Sequence, residues 1–258
     1  MRKFATQFRI TMPILKDIFW YFSSLLGVYK QSSSPFQVCS RSDPELNTCL
    51  RSSIQNAMPI LKEGIREFGI PVLEPMRYPS YTFVPLPPVL YRHVYTDIEM
   101  LGCLDAEIKD VDAHFEEASF FIVIVALLNK VRYDAHYEYF GRILDSVDSY
   151  TEGTCGYEST GNTVEITLRG VTEEFIEVTD VKVNVVDVES IVFNYQSAQD
   201  PEVAKMLSKY LNDNWKAELG NEDHKYAMLY AEVFRNASNA IFSKIPFELL
   251  FPKEEPDQ

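Results

Sequence analysis

The feature that most restricts the fold is a long helical pattern near the C-terminus. It begins at Asp200-Pro201-Glu202, where Asp200 suits the N-cap position and Pro201 suits the first helical position. A continuous helix of about forty residues would be roughly 60 Å long. Gly220-Asn221 interrupts the pattern, so we expect a kink or a break there. Such a helix needs a long apolar partner, and one sheet curling around it would provide that partner. The apolar positions of the pattern are Val203, Met206, Leu207, Tyr210, Leu211, Trp215, Tyr226, Tyr230, Val233, Phe234, Ala237, Ala240 and Ile241.

A series of segments between about residues 89 and 195 has the apolar–polar alternation of β-strands. The clearest are TVEITLRGV (163–171) and VTDVKVNVVDV (178–188), and CLDAEIKDV (103–111) and HYEYFGRIL (136–144) are weaker. Together they predict an antiparallel sheet with one buried face. The run SFFIVIVALL (119–128) would be apolar on both faces of a strand. Its β-branched and aromatic residues favour a strand covered on both sides over a buried helix.

A second, shorter helical pattern follows Asp43-Pro44-Glu45, which has the same N-cap and first-position residues. Pro59 lies inside this pattern, so we expect a kink or a break there. The helix is expected to end near Phe68-Gly69. Residues 71–88 contain six prolines and no clear period, which predicts an extended connector.

The N-terminal segment, residues 1–34, has the composition of a secretory signal peptide. Basic residues precede an apolar run, Ile18 to Tyr29, and no acidic residue occurs among the first sixteen. The run is too short to span a bilayer. We therefore expect a cleaved signal or an uncleaved anchor, and the alternative is a retained amphipathic helix. We expect a secreted, extracellular protein that is not stably inserted in a membrane after the signal is removed.

Cys39 and Cys49, ten positions apart, could form a metal site, a redox pair or a disulfide. Their spacing matches neither a zinc knuckle nor a C-x-x-C redox motif. Behind a signal peptide, a disulfide is the natural expectation, and so short a loop would contribute roughly 2–3 kcal/mol. Cys103 and Cys155 are left over, and the sequence leaves open whether they form a second bridge.

Charge and motif content argue against several functions. The net charge of −14 makes nucleic acid and anionic membranes unfavourable partners. The four histidines have no metal-ligand spacing, and no G-x-G-x-x-G or G-x-S-x-G motif occurs. We therefore predict no metal site, no cofactor and no catalytic residues. Asn236-Ala237-Ser238 is a glycosylation sequon, with an unmodified helical asparagine as the alternative.

Three segments resemble one known family. VCSRSDPELNTCLRSSIQNAMPILKEGIREFGIPVLEPM (38–76) resembles the N-terminal signature of the insect haemolymph juvenile hormone binding protein and takeout family. LNDNWKAEL (211–219) and IFSKIPFELLFP (241–252) are similar to its helix and closing motif. The resemblance implies an α+β fold in which a highly curved antiparallel sheet wraps a long C-terminal helix, with a shorter N-terminal helix. It implies a single domain over residues 35–252, and the acidic residues 253–258 are expected to be a disordered tail.

The resemblance implies a secreted carrier that holds a hydrophobic small molecule in an internal tunnel. The expected ligand is a juvenile-hormone-like terpenoid, a fatty acid or a similar lipid, and the expected state is a monomer. One alternative is a ligand-free protein that acts through protein contacts, and a remote one is a hormone-ester hydrolase. The predicted lining residues are Met58, Leu61, Ile65, Phe120, Ile122, Ile124, Tyr226, Tyr230 and Phe234.

Overall fold

The computed structural model describes residues 34–83, 92–141, 149–219 and 225–253. The chain divides into two compact units, Met1–Pro35 and Phe36–Gln258, and the helices and strands described below belong to the second. Of the predicted signal segment, residues 1–34, only Ser34 lies within the described residues. The predicted acidic tail also lies outside them, except for residue 253.

In the described part of the chain, one helix precedes a run of seven strands and three helices follow it. The helices are α1 (Leu46–Glu63), α2 (Pro201–Leu219), α3 (Lys225–Phe242) and the short α4 (Phe247–Leu250), with 3-10 turns at Arg66–Phe68 and Cys103–Asp105. The strands are β1 (Met76–Phe83), β2 (Arg92–Leu101), β3 (Glu107–Phe115), β4 (Ser119–Gly141), β5 (Ser149–Thr172), β6 (Ile176–Asp187) and β7 (Ser190–Gln196).

The strands form one antiparallel seven-stranded sheet that is not closed on itself. The two long strands, β4 and β5, pair with each other along almost their whole length. The first half of β4 also pairs with β3, and its second half pairs with β2. Similarly, β5 pairs with β7 through its first half and with β6 through its second. The β4–β5 ribbon therefore joins two smaller sheets end to end.

Helix α3 lies inside the curl of this sheet. It packs against both β6 and β1, which stand at opposite ends of the strand order. Helix α2 packs against β7 and β5 in the other half. The predicted forty-residue helix is thus confirmed only in part, because it is described as two helices with residues 220–224 outside the described part. The predicted α+β fold with a curved antiparallel sheet is confirmed.

Side chains from the helices hydrogen-bond to the exposed edges of the sheet. Asn239 of α3 accepts from the N–H of Val178 and donates to its carbonyl oxygen, each at 2.9 Å. Asn212 of α2 makes the same pair with Phe193, at 2.7 and 2.9 Å. On α1, the Gln55 amide donates to the carbonyl oxygen of Ala106 at 3.1 Å and accepts from the N–H of Ile108 at 2.8 Å, at the start of β3. These amides occupy backbone groups that a free strand edge would present to another chain.

The segment around Cys39 and Arg41 contacts residues near the C-terminal end of the second unit. The N–H of Arg41 donates to the carbonyl oxygen of Pro252 at 2.8 Å. Its guanidinium forms an ion pair of 2.6 Å with Glu248 and lies 4.4 Å above the ring of Phe247. The disulfide links Cys39, two residues before Arg41, to Cys49 of α1. The segment around Cys39 and Arg41 therefore holds both the first helix and the closing C-terminal motif.

Three local predictions differ from the structure. Helix α1 continues through Pro59 and ends at Glu63 rather than Phe68, because Gly64 follows with a positive φ of 71°. The predicted connector contains β1, an edge strand, where a proline is tolerated because one side of the strand needs no partner. The outer face of the 119–128 run is only partly covered, for example Phe121 by the guanidinium of Arg169 at 5.1 Å.

Candidate functional site

An apolar cavity of about 230 Å³, here called the main cavity, lies between α1, the inner face of the sheet and α3. Ile54, Met58 and Leu61 reach it because residues three and four apart share one side of a helix. Ile122 and Ile124 reach it because every second residue of a strand faces the same way. The described lining residues are Phe36, Gln37, Leu50, Ser53, Ile54, Ala57, Met58, Leu61, Leu73, Met76, Cys103, Leu104, Ala106, Ile108, Ile122, Ile124, Ala126, Leu128, Ile166, Leu168, Phe234, Ala237, Ser238, Ile241, Phe242, Leu250 and Phe251.

The predicted lining residues do not all lie on this cavity. Ile65 and Phe120 are buried in the core but do not line it. Tyr230 lines a smaller neighbouring cavity. Tyr226 belongs to α3, but its side chain lies outside the described part of the structure. The residues that line the main cavity are Met58, Leu61, Ile122, Ile124 and Phe234.

Two groups of residues that line the main cavity could not be predicted from the sequence. Leu250 and Phe251 come from the closing C-terminal motif, and Leu104 comes from the 3-10 turn after β2. Neither segment has a period that would assign its residues to a face. By contrast, Ile54 and Ala57 follow the helical spacing of α1, so periodicity was a sufficient signal for them.

Few polar groups line the main cavity. The Ser53 hydroxyl donates to the carbonyl oxygen of Gln37 at 2.7 Å, so the main chain already engages it. Burial, with a smaller contribution from the charge of Glu74, raises the pKa of the Cys103 thiol to about 12. That thiol is therefore protonated at neutral pH and is a poor nucleophile. Ser238 also lines the cavity, on the α3 side.

A second cavity of about 30 Å³, here called the small cavity, adjoins the main one. Leu128 and Phe234 line both cavities and so stand between them. In the small cavity the hydroxyl of Tyr157 donates to that of Tyr230 at 2.7 Å. Burial, and secondarily the nearby Cys103, raises the pKa of Tyr230, which keeps its phenol protonated.

Aromatic side chains fill the interior of the half of the sheet that holds β2 and β7. The ring of His93 lies 4.4 Å from that of Tyr95 and 5.4 Å from that of Tyr139. The rings of Tyr137 and Tyr195 lie 6.0 and 5.7 Å away. Burial lowers the pKa of His93 to about 3, so the imidazole is neutral at physiological pH. This cluster is a packed core at the end of the sheet away from α1.

Of the four cysteines, only the first two are bonded. Cys39 and Cys49 form the predicted disulfide, with their Cα atoms 5.8 Å apart. The second bridge left open by the sequence does not form, since Cys103 and Cys155 are free and buried. They occupy different surroundings: Cys103 lines the main cavity, whereas Cys155 pairs in register with Tyr195 of the aromatic cluster.

The remaining sequence-based site is the sequon. Asn236 is exposed on α3, so it stays a candidate for glycosylation. Among residues 34–83, 92–141, 149–219 and 225–253, no three His, Cys, Asp or Glu side chains cluster as metal ligands would. None of the helices in that part of the chain is long and apolar enough to cross a membrane.

Comparison with known proteins identifies the family. Residues 18–252 match the family model of the haemolymph juvenile hormone binding protein (JHBP). The chain belongs to the JHBP family. The resemblance inferred from residues 38–76 and from the C-terminal motifs is therefore confirmed, and the family is described as one of binding proteins.

Solved structures support the JHBP assignment at the level of fold. The structure of Takeout 1 from Epiphyas postvittana has a TM-score of 0.63 and 17% sequence identity, and the alignment covers 83% of this chain and 99% of that one. A lipopolysaccharide binding protein gives a TM-score of 0.32 with 9% identity over 75% of this chain and 38% of that one, too low to support an argument. No curated protein sequence matches the chain.

Proposed function

We propose that this protein is a secreted, monomeric carrier that binds a hydrophobic small molecule in the main cavity. The observation that carries the proposal is the apolar cavity of about 230 Å³ between α1, the sheet and α3. Ligand-binding cavities range from about 300 to 1,000 Å³. This one lies just below that range, so it suits a small, slender molecule. A terpenoid of the juvenile hormone type, a fatty acid or a similar lipid has that shape.

The energetics of such binding need no covalent step. Burying about 350 Å² of apolar ligand surface at about 25 cal/mol/Å² gives roughly 9 kcal/mol before association costs. Those costs leave a dissociation constant between micromolar and nanomolar, which suits a carrier that must release its cargo.

Secretion is supported by two independent features. The N-terminal segment has a basic region followed by an apolar run. The Cys39–Cys49 disulfide is of the kind that persists in oxidising compartments. The match to a haemolymph protein family agrees with both.

A hydrolase is disfavoured by the state of the groups at the cavity. The Cys103 thiol is protonated, with a pKa of about 12, and the Ser53 hydroxyl is held by the Gln37 carbonyl oxygen. Among the described lining residues there is no histidine to act as a general base. The residues at the wall are therefore suited to holding a ligand and not to cleaving it.

Native mass spectrometry of protein secreted from insect cells tests the proposal. We expect a monomer that carries one apolar molecule, released on denaturation. An added terpenoid methyl ester should be recovered intact after incubation. Recovery of the free acid would indicate a hydrolase. A protein that co-purifies with no lipid and binds no apolar ligand would instead be the ligand-free regulatory protein.

A further inference from the structure

Four apolar residues are exposed where α1 ends: Pro59, Ile60, Pro71 and Val72, here called the α1 patch. Ile60 is 42% exposed and Val72 is 54% exposed. Single exposed apolar residues are common on soluble proteins, whereas a contiguous group of them marks an interaction surface. The question is therefore whether the two pairs of residues, which lie in different parts of the chain, are neighbours in space.

Main-chain contacts hold the second pair beside the first. The N–H of Leu73, which follows Val72, donates to the carbonyl oxygen of Leu61, which follows Ile60, at 3.1 Å. A side-chain carbon added at Gly64 would lie 2.7 Å from the main-chain nitrogen of Val72, so this segment passes directly against the end of α1. The four residues therefore belong to one surface, and the backbone fixes its position.

The main cavity lies directly behind the α1 patch. Leu61 and Leu73 are the chain neighbours of Ile60 and Val72, and both leucines are buried and line the main cavity. Consecutive residues of the same two segments thus face water on one side and the cavity on the other. The exposed apolar surface and the apolar interior are separated by a single layer of chain.

The charge around the α1 patch differs from that of the whole protein. Residues 56–72 carry two basic residues, Lys62 and Arg66, and two acidic ones, Glu63 and Glu67. This segment is therefore neutral, while the chain has a net charge of −14. An anionic lipid surface repels the protein as a whole. A zwitterionic lipid surface has no net charge, so it matches the neutral segment and accepts apolar side chains at its interface.

We propose that the α1 patch is the surface through which this protein contacts a zwitterionic lipid bilayer while it collects or releases its cargo. This inference rests on the carrier function proposed above. The contact is brief and reversible, because four side chains can bury only a small apolar area in the interface.

Flotation of the secreted protein with phosphatidylcholine vesicles measures this contact. We expect an association that persists in about 0.5 M sodium chloride, because salt screens charges and does not weaken apolar burial. The double variant Ile60→Asn with Val72→Asn should lower the bound fraction about tenfold. The matched control is Val186→Asn with Val192→Asn, at positions 59% and 60% exposed on β6 and β7, and it should leave the bound fraction unchanged.

A tryptophan placed in the α1 patch reports the contact independently. With Ile60→Trp, vesicles should shift the emission of the new indole to shorter wavelength, and brominated phosphatidylcholine should quench it, since the ring enters the lipid interface. With Val192→Trp, at an exposed position outside the patch, neither change is expected. The native tryptophans give the same background in both variants.

Titration with the fluorescent probe N-phenyl-1-naphthylamine in solution separates this inference from the carrier proposal. If the wild-type protein does not bind the probe, the carrier proposal fails and this inference fails with it. If it binds the probe but does not float with phosphatidylcholine vesicles, only the inference is overturned. Equal loss of flotation in the patch variant and the control variant, or stronger flotation with phosphatidylserine vesicles, would also overturn the inference alone.

The patch variant should bind the probe as tightly as the wild-type protein, because its two substituted side chains are exposed. If that variant loses probe binding through misfolding, the Ile60→Trp readout decides the question. An indole at position 60 that brominated lipid does not quench would then overturn the inference.

Discussion

The side chain of Asn239 pairs with the backbone of Val178 as a neighbouring strand would, with one hydrogen bond in each direction at 2.9 Å. This contact fixes α3 against β6, and α3 also carries Phe234, which separates the two cavities. Asn212 repeats the arrangement between α2 and β7. The amides that seal the sheet edges therefore also set the position of the cavity wall.

Asn239→Ala should lower the free energy of unfolding by about 1–3 kcal/mol, because it leaves the N–H and carbonyl of Val178 without this partner. Urea unfolding measures the change. Asn236→Ala, on the exposed side of the same helix, is the matched control and should shift stability by less than about 0.5 kcal/mol. Equal effects of the two substitutions would show that the edge contact is not what stabilises α3.

Removing the disulfide with Cys39→Ala and Cys49→Ala should lower the free energy of unfolding by roughly 2–3 kcal/mol, since the unfolded chain regains the freedom of the closed loop. A reductant should destabilise the wild-type protein by a similar amount and leave the double variant unchanged. A reductant effect that persists in the double variant would contradict this assignment of the bridge.

The buried His93 should make the protein sensitive to acid. In the unfolded chain the imidazole binds a proton below its ordinary pKa of 6.5, but in the folded protein it does so only near pH 3. The stability it contributes is thus complete above pH 6.5 and is lost as the pH falls toward 3, by about 1.4 kcal/mol per pH unit. His93→Gln should flatten the pH dependence of unfolding over that range. His136→Gln, at an exposed position, should leave it intact, and an unaltered slope in His93→Gln would refute the prediction.

Local periodicity was sufficient to predict much of this fold. The spacing after Asp43 predicts α1, and the alternation over 163–171 and 178–188 predicts the strands that pair as β5 and β6. The Cys39–Cys49 bridge was also predictable, because the spacing matches neither a zinc site nor a redox motif and the segment before it has the composition of a signal peptide.

Features that depend on contacts between distant segments were not predictable. Leu104 and Phe251 line the main cavity only because the curled sheet brings the turn after β2 and the C-terminal motif together. Ile65 and Phe120 are apolar and follow the same spacing as the residues that line the main cavity, yet they pack in the core. Periodicity identifies the buried face of an element but does not distinguish a packed part of that face from one that borders a cavity.

The most direct test of the central claim is titration of the wild-type protein and two α3 variants with N-phenyl-1-naphthylamine. Ala237→Phe places a ring into the main cavity, whereas Met228→Phe adds one at an exposed position of the same helix. Thermal unfolding confirms that both variants fold. The carrier account predicts one probe per wild-type chain, the same value for Met228→Phe and at least about tenfold weaker binding for Ala237→Phe. Equal probe affinity in all three proteins would contradict it, because the probe would then bind outside the main cavity.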